Sequence, residues 1–132
     1  MILIINTANE GYAEVMLVEE HDILAIRKAE GKYNQSEQLL PAIEESLKEA
    51  GKSLGDLGAI SVVSGPGGFT ALRIGIVTAN VLSYALDIPV VGVNHNDFKD
   101  NNQLIDLTLE NLKNAKSGSI VMPEYGREPN IT

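Results

Sequence analysis

The sequence predicts an α/β domain whose elements run βββαβαβα, a mixed sheet with helices packed on it. Three observations carry this. The first thirty residues hold apolar runs of strand length joined by turn residues. From Ser36 the apolar spacing changes to a helical period, and beyond it strand-like and helical runs alternate. A meander followed by such alternation pairs its first strands antiparallel and its later ones parallel, because a crossover helix returns the next strand in the same direction.

Met1 to Thr7 reads as a buried strand rich in Ile and Leu, and Asn9-Glu10-Gly11 links it to a second at Tyr12 to Val18. "EEHD" suits a hairpin turn into a third, Ile23 to Ala29. Between Ser36 and Ala50, Leu39, Leu40, Ile43 and Leu47 fall at helical spacing, with Ser36 as the expected N-cap and Gly51 where a terminal glycine ends a helix. A strand at Ala59 to Val63 runs into Gly65-Pro66-Gly67-Gly68, then a helix from Phe69 to Leu86, for which Thr70 is a candidate cap. Pro89 to Val93 is the last strand. A helix over about Asn102 to Ala115 follows, with Gly118 as its terminator, and the proline-containing tail reads as extended.

Composition narrows the function classes. The 132 residues suit one modest core, and 44% hydrophobic against 21% charged residues is ordinary for a folded chain. No cysteine is present, so neither disulfides nor thiolate metal sites are available, which fits a cytoplasmic protein. The formal net charge of −8 repels phosphodiester backbones and argues that RNA is reached only indirectly, through a basic partner. The longest apolar stretch, Phe69 to Val93, is interrupted by Arg73, Asn80, Asp87 and Pro89, which makes it a buried element and not a bilayer span.

The element order is that of the ribonuclease-H-like folds and of half of an actin-like ATPase, whose functional carboxylates sit at strand ends. Here the first strand ends in Asn6 and the fourth runs into Ser64. Asn6 brings no charge to a hard cation, and a two-metal nuclease needs several converging carboxylates. The glycine turn lacks the Lys-Ser/Thr ending of a P-loop and does not match GxGxxG. Its preferred reading is structural: Gly65, Pro66, Gly67 and Gly68 reverse the chain tightly and start a helix close to the sheet. His21 lies in a polar turn, and His95, with Asp97 and Asp100 nearby, is followed by Lys99, a poor ligand while protonated. No metal site, cofactor or catalytic residue is assigned.

Three stretches carry a family resemblance: "QSEQLLP" at 35–41, "GPGGFTALRIG" at 65–75, and "PEYGREP" at 123–129. They resemble the "HSxxLLP", "GPGSFTGLRIG" and "PxYxRxP" motifs of the TsaB (YeaZ) family, the noncatalytic partner in bacterial synthesis of threonylcarbamoyladenosine on tRNA. The resemblance spans residues 1–93 and returns at the tail. It implies an actin-like subdomain at 1–100, with the helix and tail at 101–132 in place of most of a second subdomain. The catalytic relative TsaD is similar around "GPG" and carries "VNHxxxH" after the equivalent strand, where two histidines hold metal. This chain has Val93-Asn94-His95 and then Lys99.

The resemblance further implies pairing with TsaD through the helices at 36–50 and 69–86, and raises the pathway ATPase TsaE as a further partner. One clue is independent of family. Ala71, Gly75, Ala79 and Ser83 recur every fourth residue, a ridge of small side chains that lets another helix approach closely. The expected partner-binding residues are Leu39, Leu40, Ile43 and Leu47 of one helix and Ala71, Leu72, Gly75, Ala79 and Ser83 of the other. Gly75→Leu is expected to weaken pairing and leave the fold intact. A homodimer through the same face is a second expectation for the isolated chain. The rival from another class is a small actin-like nucleotide-binding enzyme using the glycine turn and Thr7.

Overall fold

The computed structural model describes residues 1–9, 11–30 and 35–124. Strands β1 (Ile2–Asn6), β2 (Tyr12–Glu19) and β3 (Asp22–Glu30) come first. They are followed by α1 (Gln35–Ala50), β4 (Ala59–Gly65), α2 (Phe69–Leu86), β5 (Val90–Asn94) and α3 (Asn101–Leu112). The strands form one sheet in the order β3-β2-β1-β4-β5. β1, β2 and β3 pair antiparallel, and β1–β4 and β4–β5 pair parallel. This is the mixed sheet the element order predicts.

Every residue of β4, and all of β1 after Ile2, is buried. Continuous burial in a strand means that both faces of the sheet are covered. α1 and α2 lie side by side on one face. α3 covers the other, where its Thr108 hydroxyl meets the Ser61 hydroxyl of β4 at 2.8 Å and Asn101 donates to Glu14 of β2 at 3.3 Å. Leu3, Ile5, Leu17, Leu39, Ile43, Ile60 and Leu72 are among the fully buried core side chains, each contributing about 1.5–3 kcal/mol.

Helix ends differ in detail from expectation. α1 begins at Gln35, so Ser36 sits within its first turn and is not the N-cap. Gly51 terminates α1 as predicted, with φ +69° and Lys52 N–H bonded to Leu47 C=O at 2.9 Å. Pro41 lies inside α1, where its side chain and that of Glu37 are exposed and water can satisfy the carbonyl left without a donor. Thr70 is likewise inside α2, whose N-cap is Gly68, an extended residue with no side chain to offer. α3 ends at Leu112, short of Ala115. Its N-cap is Asp100, whose side chain accepts from Gln103 N–H at 2.9 Å.

After α3 the chain returns across its own sheet. Asn80 of α2 holds Val121 by both backbone groups: its Nδ2 donates to the Val121 C=O and its Oδ1 accepts from the Val121 N–H, each at 3.0 Å. Glu124 N–H donates to Ser64 C=O at 2.7 Å. Residues 120–124 are therefore a strap over the C-terminal ends of β4 and β5. The other tail-motif residues, 125–129, lie outside the described residues.

Candidate functional site

The glycine turn is shaped by two close approaches. A Cβ on Gly65, whose φ is +127°, would come 2.9 Å from the Glu124 carbonyl carbon. One on Gly67 would come 2.9 Å from the Ala8 Cα. The turn is thus wedged between the end of β1 and the strap. Both contacts give Gly65 and Gly67 a steric reason to lack a side chain.

Around it, Asn6, Ser64 and Asn94 are engaged in internal hydrogen bonds, and Thr7 is buried without one. Asn6 Oδ1 accepts the Ala8 N–H at 3.0 Å and closes the turn after β1. The Ser64 hydroxyl donates to Glu124 Oε2 at 2.7 Å, and Asn94 Nδ2 donates to the same oxygen at 3.3 Å. Thr7 is 1% exposed, and its hydroxyl has no hydrogen-bond partner. It points at α2, where a Cβ on Gly75 would lie 2.8 Å from Thr7 Cγ2.

That contact corrects the reading of the small-residue ridge. Gly75, Ala79 and Ser83 are buried within the chain and Ala71 is half-buried. The ridge lets α2 settle on its own sheet, and Gly75 is small because Thr7 is there. The same holds for Leu39, Ile43 and Leu47 of α1 and for Leu72 of α2, all of them core residues. Gly75→Leu is therefore a folding lesion, contrary to expectation. Of the residues singled out by sequence, Leu40 does face solvent, at 52% exposed.

The side chains that sequence reasoning passed over are on the outer stripe of α2. Val77 and Val81 are each 58% exposed and Tyr84 is 90% exposed. Val77, Val81 and Tyr84 follow at intervals of four and three, the spacing of one helix face, which was a signal available in the sequence.

The histidine cluster does not assemble. His95 and Asp100 border a polar cavity of about 340 Å³ with Asn6, Glu14 and Lys99, whereas Asp97 borders a different groove. Asp100 is already committed to capping α3. Among the described residues no three His, Cys, Asp or Glu side chains group as a metal site, and no helix is long and apolar enough to cross a membrane.

Comparison with known proteins agrees with this architecture. The family model for TsaD, described as tRNA N6-adenosine threonylcarbamoyltransferase, matches residues 29–113. The TsaB protein of Bacillus subtilis, described as a tRNA threonylcarbamoyladenosine biosynthesis protein, is 35% identical over 92 residues, 70% of this chain and 40% of that protein. A tRNA N6-adenosine threonylcarbamoyltransferase of Geotalea uraniireducens is 49% identical over 59 residues, which is 45% of this chain and 17% of that protein. Among solved structures, YeaZ from Pseudomonas aeruginosa superposes with a TM-score of 0.65 and 31% identity, covering 70% of this chain and 43% of that one. The match thus spans under half the length of each of these relatives. Its sheet order, its glycine turn and these matches together make it a member of the TsaB (YeaZ) family, within the wider group that the TsaD model describes.

Proposed function

We propose that this chain is a noncatalytic partner in the synthesis of threonylcarbamoyladenosine on tRNA, pairing with a TsaD-type protein that carries the chemistry. The observation that carries the reading is the outer face of the helix pair, where Leu40 of α1 and Val77, Val81 and Tyr84 of α2 stand exposed. Large apolar side chains grouped on one face mark an association surface. Asn6 and Ser64 at the strand ends, both committed to internal hydrogen bonds, support a partner role over a catalytic one. The inward-facing Thr7 counts against the nucleotide-binding alternative. The site of pairing remains the two helices expected from sequence, with contact residues moved from their buried to their exposed faces.

Size exclusion with light scattering on a mixture with TsaD tests this. A complex is expected at micromolar concentration, and Val81→Glu with Tyr84→Asp should abolish it without changing the thermal melt of the free chain. Two independent peaks for the native proteins would refute the pairing. The same exposed face supports self-pairing when TsaD is absent, and the double variant should then make the isolated chain monomeric. In this role the chain meets tRNA only through its partner, in the cytoplasm, and any contact with the ATPase TsaE would be made by the assembled pair.

A further inference from the structure

Among the described residues β5 is the edge of the sheet, paired with β4 on one side. The Ile60 N–H bonds the Pro89 C=O at 2.9 Å, which sets the phase of the ladder. Pro89, Val91 and Val93 direct their backbone groups at β4, so Val90, Gly92 and Asn94 direct theirs outwards. Asn111 of α3 obeys this phase, donating from outside to the Gly92 C=O at 3.1 Å. Among the described residues, the N–H groups of Val90, Gly92 and Asn94 and the Val90 C=O have no strand to pair with.

A groove of about 720 Å³ follows this edge. Leu107 lines it from α3, and Ile120 and Met122, 68% and 67% exposed, line it from the strap. A strand laid in the groove would turn alternate side chains towards α3, where Leu107 stands among Glu110, Asn111 and Asn114, and towards Ile120 and Met122 of the strap. Folded proteins usually blunt such an edge with lysine, proline or a bulge, or cover it. Here Pro89 precedes the strand and Asn111 occupies a single carbonyl, and among the described residues no lysine or arginine lines the groove.

Charge decides the occupant. Asp97 and Glu124 stand beyond the C-terminal end of β5, and Glu110 stands beside its middle. Lys113 pairs with Glu110 at 3.0 Å and offsets its charge, so Asp97 and Glu124 are what leave the groove acidic. A second copy of the chain, with net charge −8, would set like charges against each other in an edge-to-edge pair. We propose that the outer edge of β5 is a docking site for an extended, basic segment of a protein partner. That segment adds to the sheet as a sixth strand and places Lys or Arg against Asp97, Glu110 and Glu124. The surface is separate from the outer face of α1 and α2, so either proposal can fail while the other stands.

The test uses the full chain and two fluorescein-labelled peptides, Lys-Val-Thr-Val-Arg and Glu-Val-Thr-Val-Asp. The basic peptide is expected to bind and to shift the backbone amide resonances of Val90, Gly92 and Asn94. N-methylation of alternate peptide amides should abolish binding. Asp97→Lys with Glu110→Lys, both at exposed positions, should weaken it about tenfold while the thermal melt stays unchanged. Equal affinity for the two peptides, shifts confined to other surfaces, or no binding at about 1 mM peptide would overturn the proposal. So would slow hydrogen exchange of the three outward amides in the free chain: in a dimer it would mean that a second copy fills the edge, and in a monomer that residues 125–132 do.

Discussion

Gly75 and Thr7 show how a single contact fixes the meaning of a residue. Alanine in a helix interior is favoured over glycine by about 0.8–1.0 kcal/mol, so Gly75→Ala should stabilise α2 considered alone. In the folded chain the new Cβ meets Thr7 Cγ2 at 2.8 Å, and overpacking a core of this kind costs about 1–3 kcal/mol. Net destabilisation is expected. Thr7→Ala removes the obstructing methyl and a buried hydroxyl that has no partner to lose, so Gly75→Ala in that background should recover most of the loss. Chemical denaturation of the two single variants and the double variant measures this coupling. Additive effects would show that the two residues do not touch. None of this was legible in sequence: spacing of four marks a face of a helix but says nothing about what lies against it. Asn6 and Ser64 were more readable, since an uncharged side chain cannot supply a missing carboxylate wherever the fold places it.

The elements were legible wherever the apolar period was strong. β1 and β4 are continuous apolar runs and α1 has its apolar residues at helical spacing, so the sequence places each to within a residue or two of the observed ends. Failures came at caps. Ser36 and Thr70 have capping side chains, but each helix starts before them: α1 at Gln35, and α2 at Phe69 after the extended Gly68. The two faces of α2 were exchanged for a different reason: a helix apolar all round gives no inward direction, and the sheet chose the small-residue side. The strap was invisible, since its anchor is a polar side chain far away in sequence. Asn80 satisfies both backbone groups of Val121, so Asn80→Ala leaves a buried amide and carbonyl without protein partners, at a cost of about 1–3 kcal/mol. Hydrogen exchange should then speed up at Val121 and Glu124 while β1 and β4 remain protected. Uniform acceleration across the sheet would mean that the strap and the core unfold as one unit.

At the scale of the whole molecule, two features act together: a sheet covered on both faces, and an acidic surface. The net charge of −8 predicts that the chain alone holds tRNA no more tightly than about 10⁻⁴ M at physiological salt, which filter binding can check, and binding in the nanomolar range would contradict the indirect role. The strap contributes differently, by closing the end of the sheet where β4, β5 and the glycine turn meet. Val121 fills the space beside Gly92, and the Glu124 backbone sits against Gly65, so both glycines are spaces kept for this segment. Ending the chain after Gly118 would vacate both seats, expose the Val121 pocket and free the Ser64 hydroxyl and carbonyl from Glu124. The lost burial and hydrogen bonds come to about 2–3 kcal/mol, a fall in melting temperature of roughly 5–15 °C for a domain of this size. Among the described residues, the removed segment is hydrogen-bonded to α2 through Asn80 and Val121, so the truncated chain should still pair with TsaD below its lowered melting temperature. A truncated chain that melts like the full one would show that the strap is only laid on the surface. One that stays folded and yet fails to pair would place residues 119–132 in the interface itself.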